Sequence, residues 1–206
     1  MLEQAKVSLS SFELQLVTDP SWILSKNVII QKVISLFSGL SVSFRSSAEA
    51  QPLPSPILKW PPKISRGENY QGLPYVMLDY PRCFTKEHVC AVRTFFWWGH
   101  YFSSTLHLKG RFKTDYEGVL GSQIRQLSTD AWINYNNDEW SYIVSDAEMR
   151  PLNEKTLAEV KKLDVLKLAY KLDLTRWDDS EQFLLEHFHQ MVGLLTVNSQ
   201  DGETIP

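Results

Sequence analysis

The sequence predicts an α+β protein: an antiparallel sheet of about six strands with N-terminal and C-terminal helices packed on it. Three observations predict this class. Strand-like runs cluster in the middle and late parts of the chain, at 75–80, 90–98, 101–109 and 166–174. Apolar residues at helical spacing mark both ends, at 20–40 and 178–197. A hydrophobic fraction of 43% and an aromatic fraction of 12% over 206 residues can fill one sizeable core.

Each element has its own signal. A short helix is expected at 11–17. Asp19-Pro20 then reads as a helix start, because Asp19 can accept from free backbone N–H groups and Pro20 lacks an N–H that would have no partner there. Ile23, Ile30, Val33, Ile34 and Phe37 follow at helical spacing, so an amphipathic helix is expected over 20–40. The apolar stretch at 27–44 is interrupted by Gln31, Lys32 and several serines, which suits a core helix rather than a membrane span. Residues 46–62 contain Pro52, Pro54, Pro56, Pro61 and Pro62 and are expected to be extended over the surface. Leu53, Ile57, Leu58 and Trp60 are expected to pin them down.

The run YVMLDY, 75–80, reads as a strand stopped by Pro81, with a helical turn after Thr85. Two strands at 90–98 and 101–109 form a hairpin around Gly99-His100, since glycine at the first central position suits a tight primed turn. A helix is expected at 114–127, a second hairpin at 132–135 and 139–144, and a helix capped by Asn153 that runs to 162. Leu166, Leu168, Tyr170, Leu172 and Leu174 alternate with polar residues, which predicts a strand with one buried and one wet face. The chain ends in a helix at 178–197, with a polar tail over 199–206. Residues 1–198 make a single domain on this reading.

Composition excludes some functions. The net charge is −3 and no basic block is long enough to track a phosphate backbone, so nucleic acid is not an expected partner. The early Glu3 and the polar N-terminus do not resemble a signal peptide. Two cysteines, Cys83 and Cys90, form no disulfide framework and point to a reducing compartment, so the cytoplasm is the expected location and no membrane partner is expected. The five histidines show no metal-ligand spacing, and neither a metal nor a cofactor is expected.

The central hairpin carries the chemistry. With Gly99-His100 as the turn, Trp98, Phe96, Thr94 and Val92 share a face with Tyr101, Ser103, Thr105 and His107. The other face holds Trp97, Phe95, Arg93 and Ala91 with Phe102, Ser104, Leu106 and Leu108. It is apolar except for Arg93. A guanidinium in such a surface must meet a carboxylate, carbonyls, water or a ligand. Asp79 is the natural partner, because it too breaks an apolar strand. A structural Arg93–Asp79 or Arg93–Glu68 pair is the simpler account. The alternative is an anion pocket on which Arg66, Arg82 and Arg93 converge, using the planar donor fork of arginine.

The candidate ligand-binding residues are therefore Arg66, Glu68, Asp79, Arg82, Arg93, Ser103, Thr105 and His107. Ser103 and His107 lie ~13 Å apart along one strand face, too far for a nucleophile–base pair. The expected function is the binding of a small anionic or aromatic ligand, or of a protein partner, beside the hairpin at 90–109. One alternative is a small hydrolase- or lyase-like enzyme using Asp79 or Glu68 as acid or base, Arg93 to hold an anion, and His107 in proton transfer. Another is an assembly protein that forms a homodimer through aromatic surface near Trp98 and Tyr101.

The segments GENYQGLPYVMLDYPRCF and RTFFWWGHYFSSTLHLKG together resemble a bacterial protein family with the pattern GENYxGLPYxxLDYPRxF…RTxFWWG. The resemblance covers roughly residues 63–110, about a quarter of the chain. It implies a single-domain cytoplasmic protein, and it transfers no activity and no catalytic residue.

Overall fold

The computed structural model describes residues 7–123, 127 and 129–196. The chain forms α1 (Ser11–Thr18), α2 (Ser21–Glu49), α3 (Ser55–Leu58), β1 (Lys63–Tyr70), β2 (Leu73–Phe84), β3 (Val89–Trp97) and β4 (Tyr101–Lys109). These are followed by α4 (Arg111–Gln123), β5 (Trp132–Asn134), β6 (Met149–Pro151), α5 (Glu154–Val160) and β7 (Val165–Asp173). A 3-10 segment, Leu174–Asp179, then leads into α6 (Ser180–Leu194). The fold is α+β, with a seven-stranded sheet in the order β1-β2-β3-β4-β7-β5-β6. The expected polar tail at 199–206 lies outside the described residues.

Helices cover one face of the sheet. Val33, Phe37, Leu40, Phe44 and Ala48 of α2 are buried at i, i+3 and i+4 spacing against Val76, Leu78, Val92 and Phe96. Leu184, Phe188, Met191 and Val192 of α6 complete the layer. The two helices meet at Phe44 and Phe188, whose rings stack with centroids 3.8 Å apart and planes within 2°. By length and composition alone α2 could cross a membrane, with a window of mean hydropathy 1.4.

Several elements differ from expectation for identifiable reasons. Helix α2 runs nine residues past 40, because Phe44 and Ala48 continue its buried stripe through a serine-rich stretch. Residues 46–62 are therefore not wholly extended: α2 occupies the start, and α3 places Ile57 in the core. Asp19 accepts from Ser21 N, but Pro20 is the residue at the cap position. Strand β1, unexpected from its charges, is the edge strand, where charge keeps other strands from pairing. Strand β2 continues through Pro81, because the β2–β3 ladder shifts register between Asp79 and Arg82 and needs no donor there. Thr85 makes a turn with His88 instead of starting a helix.

The expected 132–144 hairpin does not form. β5 pairs with β6, and residues 135–148 make a long loop without helix or strand. That loop lies over the sheet face opposite the helices, where Tyr142 and Val144 are buried. It is called the flap below. Strand β7 is correspondingly buried on both faces over much of its length, and Lys167, expected in solvent, is 3% exposed.

The hairpin turn decides which residues share the flap side. Trp97 pairs with Tyr101, leaving Trp98, Gly99 and His100 as a three-residue loop with Gly99 at φ +74°. The ladder is thus one residue out of the expected register, which exchanges half of the hairpin between faces. Arg93 sits opposite Thr105, Ala91 opposite His107, and Phe95 opposite Ser103.

Candidate functional site

Cross-strand pairing builds three rows under the flap. One runs Asp79, Arg93, Thr105, Ala169 and Trp132. The next runs Ala91, His107 and Lys167. The third runs Met77, Phe95, Ser103 and Lys171. The corrected register therefore brings Arg93, Ser103, Thr105 and His107 onto one face, where the expected register separated Arg93 from the other three.

Arg93 and Asp79 form a two-pronged pair. Nε donates to Oδ1 at 2.7 Å and Nη2 to Oδ2 at 2.8 Å. Their side chains are 12% and 8% exposed, so solvent screens them little. The Tyr142 ring lies 4.2 Å from the guanidinium carbon and the Phe84 ring 5.7 Å from it. Burial alone pulls the guanidinium pKa down, but the hydrogen-bonded Asp79 carboxylate beside it outweighs this, and the net shift is upward.

The flap is held to this face by side chains. Lys167 Nζ donates to the Asp138 and Ser141 carbonyls, both at 2.5 Å. Lys171 donates to the Val144 carbonyl at 2.9 Å, and Lys109 pairs with Glu139 at 2.6 Å. Tyr142 N donates to the Tyr70 hydroxyl and Val144 N to the Tyr101 hydroxyl. Burial pushes the Tyr101 phenol up to about 12, with the Val144 N–H opposing it. Burial pulls the Lys167 ammonium down to about 8, against the opposing pull of Asp138, Glu148 and Glu139.

His107 is fully buried, and its Nδ1 lies 2.8 Å from the Tyr142 hydroxyl. Its Nε2 and the Ser103 hydroxyl are buried with no hydrogen-bond partner. Such orphaned groups cost stability unless something meets them. The imidazole pKa is pulled down to about 3, first by burial and then by Lys167, Arg93 and Lys109. In the unfolded chain histidine titrates near 6.5. Between these values the unfolded state binds the extra proton, so stability is complete above about 6.5 and is lost as pH falls towards 3. Each pH unit in that window contributes about 1.4 kcal/mol. Urea unfolding at pH 6.5 and 4.5 is expected to show a shallower decline in a His107→Phe variant than in the wild type. Equal declines would contradict a neutral, buried imidazole.

The remaining sequence candidates lie elsewhere. Glu68 is exposed and pairs with Lys26 of α2 at 2.7 Å, on the helix-covered side. Arg66, also exposed, sits opposite Val76 of the helix-side core. Arg82 donates from Nε to the Pro61 carbonyl at 2.7 Å and lies over the Trp60 ring. The three arginines therefore do not converge on one point. Among the described residues no group of three His, Cys, Asp or Glu side chains is placed to hold a metal.

Tyr142, Lys167, Lys171 and Tyr70 line this face with Tyr101, and those four are absent from the sequence expectation. The lysines carried no readable signal, because their alternation with leucines reads as an ordinary solvated face and only the flap covers it. Tyr142 carried none, since it reaches the site from an irregular loop. A cleft of about 320 Å³ lies between the β1–β2 turn and the flap, lined by Asn69, Tyr70, Gln71, Asp138, Trp140, Ser141 and Glu148.

Comparison with protein-family models, with curated proteins and with solved structures finds no match.

Proposed function

We propose that the protein is a binding module for a small aromatic anion, held between the Arg93 face of the sheet and the flap. The observation that carries this reading is the orphaned His107 Nε2, buried beside Arg93 and beneath a loop without regular structure. If the Tyr142 hydroxyl donates to Nδ1, the neutral ring carries its proton on Nε2 and seeks an acceptor oxygen. The Ser103 hydroxyl, ~13 Å further along the strand, offers a donor to the other end of the ligand. Lys167 and Lys171 bond to carbonyls on the flap, so their charge also favours an anionic group nearby.

Aromatic residues supply the other half of the recognition. Tyr70, Tyr75, Phe95 and Trp97 form an edge-to-face cluster next to the Arg93 row, with Tyr70 centroids 5.1–5.8 Å from the other three. This cluster suits a ring, while Arg93 and His107 suit a carboxylate or phosphate. Asp138 and Glu148 at the mouth of the cleft disfavour a polyanion, which keeps the ligand small. The acid–base alternative has less support. Both Asp79 oxygens are engaged by Arg93, and Glu68 lies on the other side of the sheet.

Thermal unfolding with aromatic carboxylates, aliphatic carboxylates and mononucleotides tests this. A true ligand at a hundredfold excess over its Kd is expected to raise Tm by roughly 5–10 °C. The shift should disappear in His107→Phe and persist in Lys63→Ala on the edge strand. An unchanged shift in His107→Phe, or none from any compound, would remove the proposal.

A further inference from the structure

Residues 7–28 carry a series of exposed apolar side chains. No residue of α1 is buried. Phe12 is 66% exposed, Val17 69%, Leu24 60% and Val28 57%. Isolated exposed apolar residues are ordinary, but a contiguous series of this size marks a contact surface. The arm is nevertheless built with care. A Ser10–Glu13 capping box starts α1, and Trp22 Nε1 donates to the Leu16 carbonyl at 2.9 Å, fixing α1 against the start of α2. An eight-residue helix is marginal in water by itself and gains stability from a partner.

Helix α2 offers a matching surface. Opposite its core stripe, Leu24, Val28, Gln31 and Ser35 recur at spacings of four, three and four, an uncharged seam. With Asn27 and Lys32 they line a groove of about 560 Å³, and among the described residues α1 of the same chain lines no part of it.

We propose that the chain is a homodimer in which α1 of each copy lies in the α2 groove of the other. Charge supports a protein occupant from this same chain. Residues 7–20 carry Glu13 and Asp19 and no lysine or arginine, whereas Lys32 on the groove rim has no ion-pair partner among the described residues. Apolar exposure supports it as well. Exposed apolar side chains recur along residues 7–28, from Val7 and Phe12 to Leu24 and Val28, so each copy brings several to a shared contact. Both complementary parts occur in one chain, as an isologous contact requires. A lipid surface fits less well, because an interfacial helix carries basic residues on its polar face and residues 7–20 have none. The tip of the β3–β4 hairpin is a poorer dimer surface. Tyr101 is 9% exposed there and accepts from Val144 N.

Sedimentation velocity on the full chain tests the proposal. The expected species has about twice the 23.8 kDa chain mass. Phe12→Glu and Val28→Glu should each raise the dimer Kd at least about thirtyfold. Both sites are exposed, so far-UV circular dichroism should be unchanged. A wild-type monomer at about 100 µM would overturn the proposal, as would a dimer that survives both substitutions. Flotation of a monomeric wild type with phosphatidylcholine–phosphatidylserine vesicles, lost in Phe12→Glu, would overturn it in favour of a membrane.

Discussion

Replacing Asp79 by alanine is expected to lower stability by about 3–5 kcal/mol, because it strands the Arg93 guanidinium in a site that water barely reaches. The loss exceeds the net contribution of the pair itself. Two ions taken out of water lose hydration that their mutual attraction roughly offsets, so removing both is much less harmful than removing one. The double variant Asp79→Leu, Arg93→Leu should therefore recover most of the loss. Urea unfolding at pH 7 measures all three chains. A fall below about 1 kcal/mol in Asp79→Ala would mean that Arg93 is readily rehydrated through the cleft, and the roof formed by Tyr142 would not be closed.

Phe44→Ala is expected to cost about 3–5 kcal/mol as well, by a different route. The Phe44 ring is fully buried and stacked on Phe188, so truncation leaves a void where α2 meets α6. Hydrogen exchange should locate the damage. Protection should fall in the second half of α2 and in α6, while β3 and β4, paired on both sides, keep theirs. Uniform loss across the sheet would contradict a helix layer that can loosen separately.

What could be read from the sequence divides along physical lines. The β3 and β4 strands were legible to within a residue, because their alternation and the Gly99 turn are local signals. Their register was not. A two-residue and a three-residue loop both place Gly99 in the turn, and the choice is made by tertiary contacts such as the Trp98 N to Pro74 carbonyl bond. That single residue decides whether Arg93 faces the helices or joins Ser103, Thr105 and His107. The Asp79–Arg93 pair survived the error, because a lone charge in an apolar strand demands a counter-charge on either face.

Other parts depended on sequence-distant partners. β5 pairs with β6 across the whole flap, and three-residue strands carry too little periodicity to be seen. The end of α2 was legible in principle. Phe44 and Ala48 keep the spacing of Val33, Phe37 and Leu40, but the five serines between 38 and 47 dilute the apolar pattern around them. Arg66 and Glu68 were drawn into the site by nearness in sequence to Asp79, and β1 turns them to the helix side.

The most direct measurement of the account is a ¹⁵N nuclear magnetic resonance titration of the His107 ring, with and without the aromatic anion that stabilises the protein most. A neutral imidazole is expected from pH 8 down to at least about 4.5, in keeping with its depressed pKa, with a displaced Nε2 resonance once the ligand saturates the site. Titration of the ring near 6.5, or an Nε2 resonance indifferent to the ligand, would contradict it.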